Sequence, residues 1–300
     1  MAPVIEVRDL VKTYDDLRAV DGLTFSVEAG EFFGILGPNG AGKTTTLEIV
    51  EGLRQPDGGE VRLLGEAPWP RNLDLCRRIG VQLQSTAFFD KLTAREQIRT
   101  FAELFGADGA RADAVLDQVG LGDKADTRTE DLSGGQKQRL SIACTLVNDP
   151  EVVFLDEPSG ALDPQARRNL WDLLEGLNDS GRTVVLTTHS MEEAEALCDR
   201  VAVVDRGRLL ALDSPTNLVR ALDAPVRIAV VAGALDAAAA ERLAGVDTVE
   251  VDGDSIVLIT RDPAPVLTEL ARREALDGLQ VRGATLEDVF LDLTGRAYRA

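Results

Sequence analysis

The stretch Phe32-Phe33-Gly34-Ile35-Leu36-Gly37-Pro38-Asn39-Gly40-Ala41-Gly42-Lys43-Thr44-Thr45 decides the fold. Its first five residues form a continuous apolar run, the pattern of a strand buried on both faces. Gly37 to Thr44 then spell G-x-x-x-x-G-K-[ST], and a helical pattern follows. A strand, that loop and a helix together make a phosphate loop rather than a glycine-rich turn with an incidental lysine. Glycines at 37, 40 and 42 let backbone amides turn inward around phosphate oxygens, with Pro38, Asn39 and Ala41 completing the cradle. The helix that opens here adds the positive end of its dipole. The pattern assigns Lys43 to the β- and γ-phosphates and Thr44 to Mg²⁺, with Thr45 beside it.

Reading outward, a second buried strand, Val152–Leu155, ends in Asp156-Glu157. A carboxylate at the tip of an apolar strand can hold Mg²⁺, and its neighbour can take a proton from an attacking water. Further strands are expected at Val4–Val7, Leu23–Val27, Ile79–Val81, Thr183–Thr187 and Arg200–Val204, and helices at Arg95–Phe105 and Pro164–Leu177. This alternation predicts an α/β fold with a mainly parallel sheet. From about 86 to 148 the pattern is mostly helical, which predicts a helical subdomain. A hairpin turn at 205–208, a helix near Pro215–Leu222 and a linker at Asp223-Ala224-Pro225 close the first domain, residues 1–222. Residues 223–300 read strand, helix, strand, strand, helix, strand, the order of a small split β-α-β-β-α-β domain. Thr285 and Asp288 then form a capping-box pattern at a last helix.

Composition excludes several classes. The net charge of -19 argues against a nucleic-acid surface, which needs a basic face. The acidity is spread along the chain, as expected of a self-repelling soluble surface. Cys76, Cys144 and Cys198 are far apart and read as buried small hydrophobes in a reducing compartment. The charged N-terminal stretch does not read as a signal peptide, and no apolar run approaches a membrane span. Attachment to a membrane therefore needs another polypeptide.

Leu132-Ser133-Gly134-Gly135-Gln136 narrows the class. Ser133 is a good N-cap, and the two glycines leave amides at a helix start open to a second phosphate. LSGGQ upstream of a strand ending in Asp-Glu resembles the ABC ATPase family, and the resemblance runs from residue 4 to about 222. It implies a P-loop ABC cassette: a mainly parallel core, an antiparallel β part and a helical subdomain. ATP and Mg²⁺ are the implied substrate and cofactor. Further roles follow from the resemblance alone. Tyr14 would stack on adenine, and Gln84 would contact Mg²⁺ and the water and link the site to a transmembrane partner. Asp163 would shape the opposing site, and His189, the single histidine, would touch the γ-phosphate and hold water with Glu157. Here Gly160-Ala161-Leu162-Asp163-Pro164 departs slightly from the family's usual SGLDP.

Each motif occurs once, and in this family the phosphate loop of one cassette faces the LSGGQ of another. The resemblance thus implies a second cassette, with a homodimer expected. The tail Thr285-Leu286-Glu287-Asp288-Val289-Phe290 resembles cassettes serving ABC-2 type exporters, including the daunorubicin and multidrug-resistance class. That implies an ATPase on the cytoplasmic face of the cell membrane, driving a drug, antibiotic or lipid-like substrate through a separate ABC-2 permease. Phe88 and Phe89 fall where such cassettes receive a coupling helix, or else pack in the subdomain core. The alternative is a soluble ABC-type ATPase with a regulatory or assembly role. For residues 223–300 dimer bracing or regulation is expected.

Overall fold

The computed structural model describes residues 3–83, 88–160, 162–233 and 235–295. The chain divides into two compact units, Met1–Pro215 and Thr216–Tyr298. In the first, β1 (Ile5–Tyr14), β2 (Leu17–Val27) and β3 (Phe32–Leu36) precede α1 (Lys43–Val50), then β4 (Gly58–Leu63), α2 (Leu73–Cys76) and β5 (Ile79–Gln82). A helical stretch follows: α3 (Ala94–Phe105), α4 (Arg111–Gln118) and α5 (Gly134–Leu146). The unit closes with β6 (Val152–Asp156), α6 (Pro164–Asp179), β7 (Thr183–Thr188), α7 (Met191–Leu197), β8 (Arg200–Asp205) and β9 (Arg208–Asp213).

Two sheets organise it. The larger runs β5-β6-β7-β3-β8-β9, parallel through β8, with β9 antiparallel across the turn at 206–207. The smaller, β2-β1-β4, is antiparallel. Every residue of β3, β6 and β7 is buried, as their uninterrupted apolar runs require. One core cluster draws Leu10, Leu23 and Phe25 from the small sheet, Phe33, Phe154 and Val185 from the large one, and Leu47 and Ile49 from α1. Phe25 and Phe33 stack with centroids 5.4 Å apart. Gly34 interrupts the bulky run of β3 because a Cβ there would lie 2.7 Å from Cys198 Sγ.

Expected and observed strands differ mainly in length. β1 and β2 extend well beyond Val4–Val7 and Leu23–Val27, because β1 carries register shifts where the alternation breaks. Cys144 and Cys198 are buried as expected, whereas Cys76 is only half-buried at the end of α2.

After α8 (Pro215–Ala221), the second unit comprises β10 (Val226–Val231), α9 (Ala237–Ala240), β11 (Thr248–Asp252), β12 (Ser255–Thr260), α10 (Pro263–Arg272), β13 (Gln280–Arg282) and α11 (Leu286–Thr294). Its antiparallel sheet has the order β11-β12-β10-β13, the split arrangement read from the chain. Ile228, Val230 and Leu258 pack there against Val266 and Leu270 of α10. At the start of α11, Asp288 Oδ2 accepts from Thr285 N at 2.8 Å.

One buried group strains the first core. Glu51, directly after α1, is 5% exposed, and burial, with repulsion from Asp156 and Glu48, pushes its carboxyl from 4.5 up to about 8. The folded chain therefore keeps a proton that the unfolded chain releases, and stability falls as pH rises through that window. Relative to Glu51→Gln, the wild type should lose about 1.4 kcal/mol of unfolding free energy per pH unit within it. Urea unfolding of both proteins at pH 5 and pH 8 checks this, and parallel pH profiles would refute it.

Candidate active site

The phosphate loop hangs between β3 and α1 and is held by close backbone approaches. Gly42 has φ +100°, and a Cβ there would lie 2.3 Å from Ala19 O. A Cβ on Gly37 would lie 2.1 Å from Val204 O. Both glycines therefore serve the packing of the loop against β2 and β8 as well as its curvature.

Lys43 is 4% exposed and points back into the loop. Its ammonium donates to Gly37 O at 2.9 Å and Pro38 O at 3.2 Å, and pairs with Glu157 Oε1 at 3.1 Å. The other oxygen of Glu157 lies 3.1 Å from His189 Nδ1. One carboxylate thus bridges the loop lysine and the histidine that follows β7. Glu157 has φ +47°, costly for a residue with a side chain. Its backbone amide is held by Thr187, donating to Thr187 O and Thr187 Oγ1, each at 3.1 Å. Strain persists where neighbours over-determine it, and here it turns the Glu157 side chain from the strand tip toward the loop.

Asp156 lies beside it at the end of β6. Its Oδ1 accepts from Thr44 Oγ1 at 3.2 Å and from Thr187 Oγ1 in a shorter bond. Burial pushes this carboxyl up, and the two hydroxyl donors oppose that shift. A hydroxyl and a carboxylate side by side are hard oxygen ligands, and Mg²⁺ takes one or two protein oxygens together with phosphate and water. Among the described residues no cluster of three or more His, Cys, Asp or Glu could hold a metal alone. The donor set therefore fits Mg²⁺ bound together with a nucleotide.

Thr187 escaped the sequence reading. It serves Asp156 and the Glu157 amide at once, and only its place two residues before His189 hinted at this. Nor did spacing reveal the Lys43–Glu157 pair, which joins residues 114 positions apart.

Tyr14 ends β1 with Arg54 and Lys12 over its ring, at 5.2 and 5.6 Å from the centroid. At the start of α5, Gln136 N donates to Ser133 Oγ at 3.3 Å, and Ser133 N donates to Gln136 Oε1 at 2.9 Å. This reciprocal capping leaves Gly134 and Gly135 in the first helical turn. They line a cavity of about 330 Å³ with Ser133, Gln136, Leu162 and Asp163, and no residue of 37–45 or 156–157 borders it. Asp163 caps α6, accepting from Gln165 N at 3.0 Å and Ala166 N at 2.9 Å. Gln84 and Ala161 lie outside the described residues.

The comparisons agree with this geometry. Residues 20–160 match the family model described as ABC transporter, and residues 234–295 match the nodulation factor export protein NodI C-terminal domain. The chain is 43% identical over 298 residues to the Nod factor export ATP-binding protein I of Paraburkholderia xenovorans, covering 97% of each. It is 41% identical to that of Ralstonia nicotianae, covering 99% of this chain and 95% of the relative. Among solved structures, CbiO1 from Clostridium perfringens, part of the ABC transporter complex CbiONQ, superposes with TM-score 0.67. It is 27% identical, over 74% of this chain and 95% of that one. The ATP-binding cassette MJ0796, in a dimeric post-hydrolysis state bound to ADP and Pi, has TM-score 0.64 and 30% identity, over 70% and 98%. The chain belongs to the ABC transporter family, as one of its ATP-hydrolysing cassettes.

Proposed function

We propose that this cassette powers an exporter from the cytoplasmic face of the cell membrane, as a homodimer beneath an ABC-2 type membrane subunit. Residues 1–222 are assigned to ATP binding and 223–300 to an accessory domain. The observation that carries the catalytic part is the Glu157 carboxylate held between Lys43 and His189. The export reading is supported by relatives named for Nod factor export that align over nearly the whole chain, and by the matching C-terminal domain.

ATP enters with its base on Tyr14 and its phosphates in the loop of Gly37 to Thr45. Lys43 then exchanges the Glu157 carboxylate for β- and γ-phosphate oxygens, its two carbonyl contacts keeping the ammonium in place. Thr44, Asp156 and Gln84 would hold Mg²⁺, which would supply charge neutralisation at the phosphate oxygens. Released from Lys43, Glu157 accepts a proton from the attacking water, and His189 holds that water in line. The partner cassette closes the site with Ser133 to Gln136, and Asp163 lies beside that contact. One chain carries the two halves as separate surfaces, so a single copy does not complete a site.

The outer face suits a membrane partner. Leu53, Leu83, Phe89, Leu104 and Phe105 are all at least 38% exposed, and Leu53, Leu83 and Phe105 line one apolar cavity. Phe88 is half-buried. No helix among the described residues is long and apolar enough to cross a membrane.

Glu157→Gln should lower the ATPase rate by about a hundredfold or more while ATP still binds. ATPase assay with nucleotide-binding calorimetry checks this, and a variant within tenfold of wild type would refute the base assignment. Specific ATPase activity of the wild type should rise with protein concentration until the dimer saturates, as dilution series can measure. Leu83→Arg and Phe89→Arg should abolish rebinding to stripped host membranes while leaving solution ATPase within about twofold, because burying an unpaired charge in an apolar contact is costly. Wild-type rebinding by both variants would overturn the docking surface.

A further inference from the structure

The apolar cavity has about 440 Å³ and a floor that apolar docking does not explain. Glu51 contributes to its lining, and its Oε1 is buried with no hydrogen-bond partner among the described residues. A buried carboxyl with an unused acceptor is costly, and its destabilising neighbours are both anions, Asp156 of β6 and Glu48 of α1. Glu48 already pairs with Arg54 at 2.5 Å. Arg71, on the cavity's rim, is exposed and makes no bond to Glu51. Nor do the other polar groups of the lining relieve it. Asn148 Nδ2 donates to the carbonyls of Arg77 and Ile79, and Thr145 Oγ1 donates to Ile142 O. Cys76 and Cys144 are free thiols.

We infer that Glu51 is the anchor for a cationic side chain, arginine or lysine, carried into this cavity on an apolar helix face of the membrane subunit. The inference rests on the docking surface proposed above and names the chemistry its occupant must carry. Apolar residues at the mouth, Leu53, Leu83 and Phe105, accept the helix's aliphatic side chains, and the cation reaches the one unsatisfied oxygen at the floor. Charge complementarity decides for a cation over a neutral donor: Glu51 is the one carboxyl in the lining, and the two side-chain charges acting on it, Asp156 and Glu48, are both negative. On docking, the Glu51 carboxyl gives its proton to solvent and the carboxylate pairs with the incoming cation. Because Asp156 acts on Glu51 electrostatically, that change is felt at the magnesium ligand of the ATP site. Occupancy of the cavity and the state of the nucleotide site thereby become linked.

The probe is a matched pair of fragments, phenethylguanidinium and its neutral counterpart phenethylurea, titrated into the full chain by calorimetry at pH 7. Each titration is run in two buffers of different ionisation enthalpy. The guanidinium should bind about tenfold or more tighter than the urea and release about one proton, since a hydrogen bond to a charged partner exceeds a neutral one by that order. Glu51→Gln should erase both the preference and the proton release. Equal affinities, failure of the guanidinium to bind, or a preference that survives Glu51→Gln would overturn the inference. Proton release by the wild type needs no variant, so a poorly folding Glu51→Gln protein leaves the test decisive. A fragment preference absent while Leu83→Arg still blocks membrane rebinding sinks this inference alone. A preference present while wild-type cassette ignores stripped membranes sinks the membrane partner named here and the docking surface with it.

Discussion

The structure turns on one buried ammonium. Lys43 lies inside the phosphate loop, fastened to two of the loop's own carbonyls and to the carboxylate of Glu157. An unpaired charge with so little exposure would be prohibitively costly, so its partners must be in place when the chain folds. The loop is accordingly locked to Ala19 and Val204 through two positions where only glycine fits, and a left-handed residue, Glu157, directly follows β6. The parallel order β6-β7-β3 brings those pieces together, since it sets the C-terminal ends of three strands side by side.

The same pairing orders the chemistry. In the free cassette the carboxylate assigned as base is tied to the cation assigned to the phosphates, and each masks the other. Phosphate oxygens carry more negative charge than a carboxylate, so on the function proposed above nucleotide binding would free the Glu157 carboxylate from Lys43. Thr187 supports the arrangement from behind, through the Glu157 amide and the Asp156 carboxylate at once. Loss of its hydroxyl would loosen two functional carboxyls together.

Much of this was legible in the chain because its motifs depend on local backbone geometry. The run Phe32–Leu36 followed by the glycine loop, and the apolar run ending at Asp156, each specify a strand and what lies at its tip within a few residues. The small domain's order was readable for a similar reason, since each element carries its own periodicity. What stayed hidden depends on register between distant strands. The Lys43–Glu157 bridge, the double role of Thr187 and the isolation of Glu51 arise only when β3, β6 and β7 align, and no spacing along the chain encodes that alignment. The extra length of β1 was hidden differently, because its register shifts break the alternation by which strands are read.

Placing a buried acidic group at the C-terminal end of α1 has a further consequence for how one fold serves two surfaces. Asp156, the carboxyl we assign to Mg²⁺, would need its negative charge to hold that cation, while Glu51 is kept neutral first by burial and then by the charges of Asp156 and Glu48. Each carboxyl therefore responds in the same sense to positive charge arriving on the other's side. Positive charge at the nucleotide site eases ionisation of Glu51, and positive charge in the apolar cavity eases ionisation of Asp156. Such coupling requires no hinge and no long chain of moving side chains, only two buried acids close enough to repel in a medium of low polarisability. It also requires that the coupling be reciprocal: whatever affinity for nucleotide a docked cation adds, bound nucleotide must add to the docking of that cation.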